Sequence, residues 1–186
     1  MDEILHIIND SKNNTIYTSF ITTLLKNINN ITINNITINN ITPPLSVDDT
    51  TILAQHLCLQ LNILESTYNK SISFIQLSDI TVINNNNNNN IFIISNLENS
   101  VNMHNNTDIL LICPSTNFND KTCAPELLNI KILPFITHKS TSYYSVGLLC
   151  LHVLNMHIDE IKHTPQFYFL SRCLNKNPQM RKCLFI

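Results

Sequence analysis

Histidine and cysteine side chains are the first candidates for chemistry in this sequence, because they bind zinc and form the Cys–His pairs of hydrolases. Four of them lie close together in the chain: Cys150, His152, His157 and His163. Their spacing matches no usual zinc pattern. Cys113 or Cys123 could be paired with any of the seven histidines, but no local signature supports one pairing. The residues therefore predict neither a metal site nor a thiol hydrolase.

The charge composition argues against nucleic acid and membrane surfaces as partners. Charged residues make up 13% of the 186 residues and the net charge is -2, so the chain lacks the basic field that phosphate backbones and anionic lipids attract. No apolar stretch is long enough to span a bilayer, and Asp2, Glu3 and Asp10 are unlike the start of a secretory signal. The six cysteines are then expected to be reduced core thiols. We expect an intracellular protein, located in the cytoplasm.

Low-complexity segments interrupt the chain. Residues 27–42 contain Ile-Thr-Ile-Asn-Asn twice, and residues 84–90 are an unbroken asparagine run. Both are typical of insertions into loops, and the period of five in the first does not maintain one face of a strand. The asparagine excess and the single glycine, Gly147, indicate an AT-rich genome.

Four elements can be predicted around these segments, within one domain whose apolar content of 44% is enough for a core. Leucines at helical spacing predict a helix over Thr51–Tyr68, with Asp48 and Asp49 as possible N-caps. The β-branched runs on either side of the asparagine run predict a hairpin. The apolar stretch Tyr143–Leu154 predicts a buried helix, and Phe167–Leu174 a short one that ends before Asn177-Pro178. The predicted class is mainly α, or α+β, with a small β-hairpin.

Three short motifs occur in the same order as these elements. Ala124-Pro125-Glu126 is similar to the end of a protein kinase activation segment. The stretch from Tyr144 to Leu149, with Ser145 and Gly147, is similar to the start of the central kinase helix. Arg172-Cys173-Leu174, followed by Asn177-Pro178 and Arg181, is similar to the last kinase helices. The chain therefore resembles the C-terminal lobe of a eukaryotic-type protein kinase.

The resemblance implies that the motifs maintain a fold. In kinases the Glu of the first motif pairs with the Arg of the third, which here implies an ion pair between Glu126 and Arg181; the alternative is that they are unrelated surface charges. The single glycine, expected in the first turn of the buried helix, implies a position where a Cβ does not fit.

The same resemblance implies that the catalytic groups are missing. Kinases need a catalytic Asp, a magnesium-binding Asn and the Asp of Asp-Phe-Gly. An ungapped match puts Phe74 in place of the catalytic Asp, and a gapped match puts Gln76 there. Asp79 takes the place of the Asn, where it could bind a cation or cap local backbone amides. Asn96, in Ser95-Asn96-Leu97-Glu98, takes the place of the metal-binding Asp.

The N-terminal lobe of a kinase is also expected to be essentially absent. One glycine cannot build a phosphate-binding loop, and no lysine strand precedes Thr15, so residues 15–26 would correspond to the hinge between the lobes. The first hypothesis is a degenerate, pseudokinase-like domain that binds a protein partner, without a cofactor. The alternatives are an atypical active kinase, which uses ATP and magnesium through Asp79 or Glu98, and a nonfunctional truncated remnant.

Overall fold

The computed structural model describes residues 37–84, 90–97, 99–104, 108–112, 122–128 and 130–183. Within these ranges the chain has an α+β architecture, as predicted. Its helices are α1 (Val47–Tyr68), α2 (Pro125–Leu128), α3 (Thr141–Leu154) and α4 (Pro165–Cys173). Its strands are β1 (Thr37–Asn40), β2 (Lys70–Ile72), β3 (Ile80–Asn84), β4 (Asn90–Ile94), β5 (Ser100–Asn102), β6 (Ile109–Ile112) and β7 (Phe135–His138). The predicted hairpin is β3–β4, and the other strands were not expected.

Helix α1 begins four residues earlier than predicted, because Ser46 caps it. The Ser46 side chain accepts a hydrogen bond from the backbone N–H of Asp49 at 3.0 Å. The prediction of Asp48 or Asp49 as the N-cap was therefore wrong: both lie in the first turn, where their charges favour the positive end of the helix dipole. The helix ends at Asn69, which adopts a left-handed conformation with φ of 50°.

Strands β1, β3 and β4 form an antiparallel sheet that packs against α1. The register of the predicted hairpin pairs Ile80 with Ile94 and Ile83 with Ile91. The side chain of Gln60 joins α1 to β4 through two hydrogen bonds with the β4 backbone. Its Nε2 donates to the carbonyl of Phe92 at 2.9 Å, and its Oε1 accepts from the N–H of Ile94 at 2.8 Å. A fully buried amide is thus paired on both sides.

Part of the Ile-Thr-Ile-Asn-Asn repeat is a strand, so its prediction as a loop was wrong over Thr37–Asn40. This segment pairs with β3 from Thr37↔Asn84 to Asn40↔Thr81. A short edge strand needs only backbone hydrogen bonds to its neighbour, which a five-residue side-chain period does not prevent. Residues 27–36 of the predicted insertion lie outside the described residues, as do residues 85–89 of the asparagine run.

Helix α3 is buried, as predicted, and α1 and α4 pack against it. It begins two residues before the predicted start. Helix α4 begins at Pro165 after Thr164, whose side chain accepts from the N–H of Phe167 at 3.3 Å. These helices and the three-stranded sheet share the larger core.

A second, smaller core lies under two-stranded antiparallel sheets formed by β2 with β5 and by β6 with β7. Its buried members are Phe74, Met103, Leu110, Ile112, Cys123, Ala124 and Leu127. Among the described residues, no helix is long and apolar enough to cross a membrane.

Candidate functional site

The structure brings Glu126 and Arg181 together across 55 positions of sequence. Nη1 of Arg181 lies 2.5 Å from Oε1 of Glu126, and Nη2 lies 2.9 Å from Oε2. Such a bidentate pair is geometrically specific as well as charge-assisted. The Arg181 side chain is 0% exposed and that of Glu126 is 19% exposed, so the two are not unrelated surface charges.

Arg181 is also held by its remaining donors and by its planar face. Its Nε donates to the carbonyl of Asn175 at 2.7 Å, and its Cζ lies 4.7 Å from the ring centroid of Tyr144. A buried guanidinium is tolerated only when its N–H groups find acceptors, and this one does. We call Glu126, Arg181 and Tyr144 the clamp, because they join α2, the C-terminal segment and α3.

The other motif residues surround the clamp. Ala124 is fully buried and Pro125 is the first residue of α2, a position where its missing N–H costs no hydrogen bond. The hydroxyl of Ser145 donates to the carbonyl of Thr122 at 2.6 Å, and so ties α3 to the residues just before α2. Three short motifs, separated by many residues in the sequence, therefore meet in one place.

Gly147 lies in the second turn of α3, not in the first as predicted, because the helix begins at Thr141. A Cβ at this position would lie 2.8 Å from Cδ2 and 2.9 Å from Cγ of Leu174, and 3.0 Å from Cβ of Cys173. These distances are shorter than ordinary van der Waals contact. The single glycine therefore allows the end of α4 to lie directly on α3.

Phe74, Gln76 and Asp79, which the resemblance aligns with catalytic positions, lie between β2 and β3, and Asn96 lies after β4. Phe74 is 1% exposed and belongs to the smaller core. Asp79 is 6% exposed, and its Oδ2 accepts from the backbone N–H of Gln76 at 2.9 Å. Its Oδ1 accepts from Nδ2 of Asn96 at 3.0 Å. Of the two readings of Asp79, the structure agrees with the one in which it caps local amides.

We call residues 73–79, between β2 and β3, the Asp79 loop; they contain one carboxylate. Phe74 has no group that accepts a proton, and a Gln76 amide is not a base. Both carboxylate oxygens of Asp79 accept hydrogen bonds, one from the N–H of Gln76 and one from the amide of Asn96. Among the described residues no group of three His, Cys, Asp or Glu side chains could hold a metal. Glu98, the other carboxylate considered, lies outside the described residues.

A cleft of about 770 Å³ beside the clamp was not foreseen. Lys139 crosses it, with Nζ 2.9 Å from Oε2 of Glu65 and 3.0 Å from Oδ1 of Asp108. Burial lowers the pKa of Lys139, but its hydrogen bonds to the two carboxylates outweigh burial and raise the pKa overall. The hydroxyl of Tyr143 donates to Oε2 of Glu65 at 2.8 Å. Burial and this carboxylate raise the pKa of Tyr143, so it stays a donor.

Asp108 and His138 line the cleft and form, with the buried Ser140 behind it, an Asp–His–Ser arrangement that is not a hydrolase triad. Nδ1 of His138 lies 2.8 Å from Oγ of Ser140, and its Nε2 lies 3.8 Å from Oδ2 of Asp108. However, Ser140 is fully buried and its hydroxyl donates to the carbonyl of Pro178 at 2.7 Å. A nucleophile needs an accessible oxygen and a base that takes its proton, and here the proton is already used.

Sequence reasoning missed this cleft because no local signal marks it. Glu65 lies near the end of α1, Asp108 directly before β6 and Lys139 directly after β7. Only the tertiary structure therefore brings the three charges together. No protein-family model matches the chain, and no curated protein matches it closely enough to indicate a relative.

Proposed function

We propose that this chain is a degenerate protein kinase-like domain, similar to a kinase C-lobe, which binds a protein partner and does not transfer phosphate. The observation that carries the proposal is the hydrogen bond between Asp79 and Asn96, 3.0 Å long. In the kinase comparison these are the two magnesium-binding positions. Here the only carboxylate of the two is occupied by the neighbouring amide.

The scaffold part of the proposal is supported by the clamp and by Gly147. The order of elements is that of the resemblance: helix α1, hairpin β3–β4, the Ala-Pro-Glu helix α2, buried helix α3 and short helix α4. The Glu126–Arg181 pair joins the first motif to the third, as the resemblance implies. A fold retained around lost chemistry favours binding over catalysis.

A protein partner is supported by an exposed apolar face on β6–β7. Alternation along β6 buries Leu110 and Ile112 and leaves Ile109 and Leu111 outside, 41% and 42% exposed. Ile136, the cross-strand neighbour of Leu111, is 65% exposed. Adjacent exposed apolar side chains on a sheet are typical of a protein contact surface. We call Ile109, Leu111 and Ile136 the apolar face.

The catalytic half of the proposal can be tested with labelled ATP. Purified protein with ATP and magnesium should incorporate no phosphate into itself or a generic substrate, and magnesium should not increase any ATP-dependent rise in melting temperature. An Asp79→Asn variant is the matched control. Incorporation by the wild type that disappears in this variant would favour the atypical kinase. Incorporation that survives it indicates a contaminating kinase, and the preparation is then repurified and assayed again.

The binding half can be tested by proximity labelling in cells that express the natural chain. We compare the wild type with Ile136→Lys on the apolar face and with Tyr168→Lys, a control on α4 at a side chain that is 60% exposed. Proteins labelled by the wild type and by Tyr168→Lys, but not by Ile136→Lys, would be partners of this face. The same labelled set for all three proteins would contradict binding at the apolar face. A purified Ile136→Lys variant that changes oligomeric state would identify the partner as a second copy.

A further inference from the structure

Two cysteines from distant parts of the chain meet in the cleft. Cys58 lies on the cleft side of α1, and Cys183 lies two residues after the clamp residue Arg181. Their sulfur atoms are 2.8 Å apart, although the residues are separated by 125 positions of sequence. Since a disulfide bond is about 2.05 Å long, bonding needs a sulfur movement of less than about 1 Å.

Accessibility separates this pair from the other described cysteines. Cys58 and Cys183 are half-buried and line the cleft. Cys123, Cys150 and Cys173 are at most 2% exposed. A dissolved reagent therefore reaches the pair in the cleft before it reaches the three buried sulfurs.

We propose that Cys58 and Cys183 are a modification site that exchanges with low-molecular-weight disulfides and closes to an intramolecular disulfide. The inference rests on the geometry of this pair and not on the proposed function. It extends the expectation of reduced core thiols, because it identifies the two thiols that are placed to change state.

The reaction needs only the disulfide reagent as oxidant. The Cys58 thiolate attacks one sulfur of the reagent, forms a mixed disulfide and expels one thiolate. Cys183 then loses its proton and attacks the Cys58 sulfur, which forms the intramolecular bond and expels the second thiolate. Two protein thiols are oxidised, one reagent disulfide is reduced to two thiols, and those thiols take up the protons that the cysteines release.

The surroundings of Cys183 assign the order of the two attacks. Hydrogen bonds with Cys173 and Cys58, together with burial, raise the pKa of the Cys183 thiol well above its ordinary value. Cys183 therefore remains protonated until the second step, and closure should become faster as the pH rises.

The bond would fasten the clamp to the long helix. Cys58 belongs to α1, whereas Cys183 is separated from Arg181 by one residue, Lys182. Cross-linking residues so far apart restricts the unfolded chain and should raise the melting temperature by roughly 5–15 °C.

The test uses the full chain, reduced, freed of reductant and then treated with oxidised glutathione. Remaining thiols are alkylated and the digest is mapped without reduction. We expect a linked pair of peptides containing Cys58 and Cys183, two fewer alkylated thiols and the higher melting temperature, all reversed by dithiothreitol. Cys58→Ser and Cys183→Ser should each abolish the link, and Cys173→Ala, a control beside the pair, should retain it.

Three results would overturn the inference. They are a stable mixed disulfide at Cys58 without closure, a link between Cys173 and Cys183, and an unchanged thiol count in folded protein. The Cys58→Ser variant keeps the test independent of folding defects at the C-terminal segment, since Cys58 is half-buried on a long helix.

Discussion

The clamp and the Asp79 loop surround a carboxylate with different partners. In the clamp, Glu126 meets the full charge of Arg181 in a bidentate pair. In the loop, Asp79 accepts hydrogen bonds from the N–H of Gln76 and from the amide of Asn96. The charge pair joins segments 55 residues apart, whereas the hydrogen bonds of Asp79 join the turn before β3 to the residues after β4. The difference teaches that the carboxylate of Glu126 holds distant parts of the fold together through a charge pair, and that of Asp79 through hydrogen bonds to amides.

Breaking the clamp should have the largest effect. Glu126→Gln leaves the guanidinium of Arg181 buried without its counter-charge, which should lower the free energy of unfolding by about 3–5 kcal/mol. Urea denaturation followed by circular dichroism measures this. Asp159→Asn is the control, since the pair of Asp159 with Lys162 is exposed and should contribute little. Equal effects for the two variants would mean that the clamp is no stronger than a surface pair.

The contact of α3 with α4 next to the clamp should be nearly as sensitive. Gly147→Ala places a Cβ against Leu174 and Cys173, and we expect a loss of about 1–3 kcal/mol, although alanine is the better helix former by about 1 kcal/mol. The double variant Gly147→Ala, Leu174→Ala removes the closest contact, so the added methyl group should cost less there than in the wild type. A more stable Gly147→Ala protein would mean that the position is ordinary helix, and the motif match would lose its physical basis.

An exchange of Asp79 and Asn96 should cost less stability than either single change. Asp79→Asn turns an amide toward the amide of Asn96 and should cost about 1–3 kcal/mol, because the donor loses its acceptor. Asn96→Asp instead brings two carboxylates together. The double variant restores one donor and one acceptor, so a double-mutant cycle by urea denaturation should give a favourable coupling energy. Additive losses would show that the hydrogen bond contributes nothing.

A milder effect is expected from pH. Burial lowers the pKa of His56 below its ordinary 6.5, and it does the same for His138 against the opposing charge of Asp108. Between the lowered pKa values and pH 6.5 the unfolded chain binds more protons than the folded one. The stability contributed by the two neutral histidines is therefore complete above about pH 6.5 and is lost as the pH falls. His56→Asn keeps an acceptor for the N–H of Phe92, which now donates to Nδ1 at 3.2 Å. The variant should lose less stability than the wild type between pH 7.5 and 5.5, as urea midpoints would measure.

The smallest effect is expected from shortening the asparagine run. Asn84 and Asn90 are paired across β3 and β4, and Asn90 donates to Asp49 at 2.9 Å, so both are kept. Replacement of residues 85–89 by Asn-Gly should change the unfolding free energy by about 0.5 kcal/mol or less, since loop closure depends slowly on length. Loss of cooperative unfolding would show that the run has a structural role.

Local patterns determined the elements that carry their own signal. These are α1 with its leucine spacing, β3 and β4 with their β-branched runs, and α3 with its apolar stretch. Each element forms its backbone hydrogen bonds within one helix or between neighbouring strands, so a short window of sequence is sufficient to predict it. That Phe74 and Gln76 are not bases also follows from the sequence, because residue type alone decides it.

The tertiary structure decided everything that depends on distant partners. The strand at Thr37–Asn40 forms because it pairs with the edge of β3. Strands β2, β5, β6 and β7 are too short to be predicted without their pairing partners. The network of Glu65, Asp108 and Lys139 and the approach of Cys58 to Cys183 join side chains whose separation in sequence carries no information. Even Asp79 left two readings open, since a carboxylate binds a cation or caps amides according to what surrounds it, and only folding supplies those surroundings.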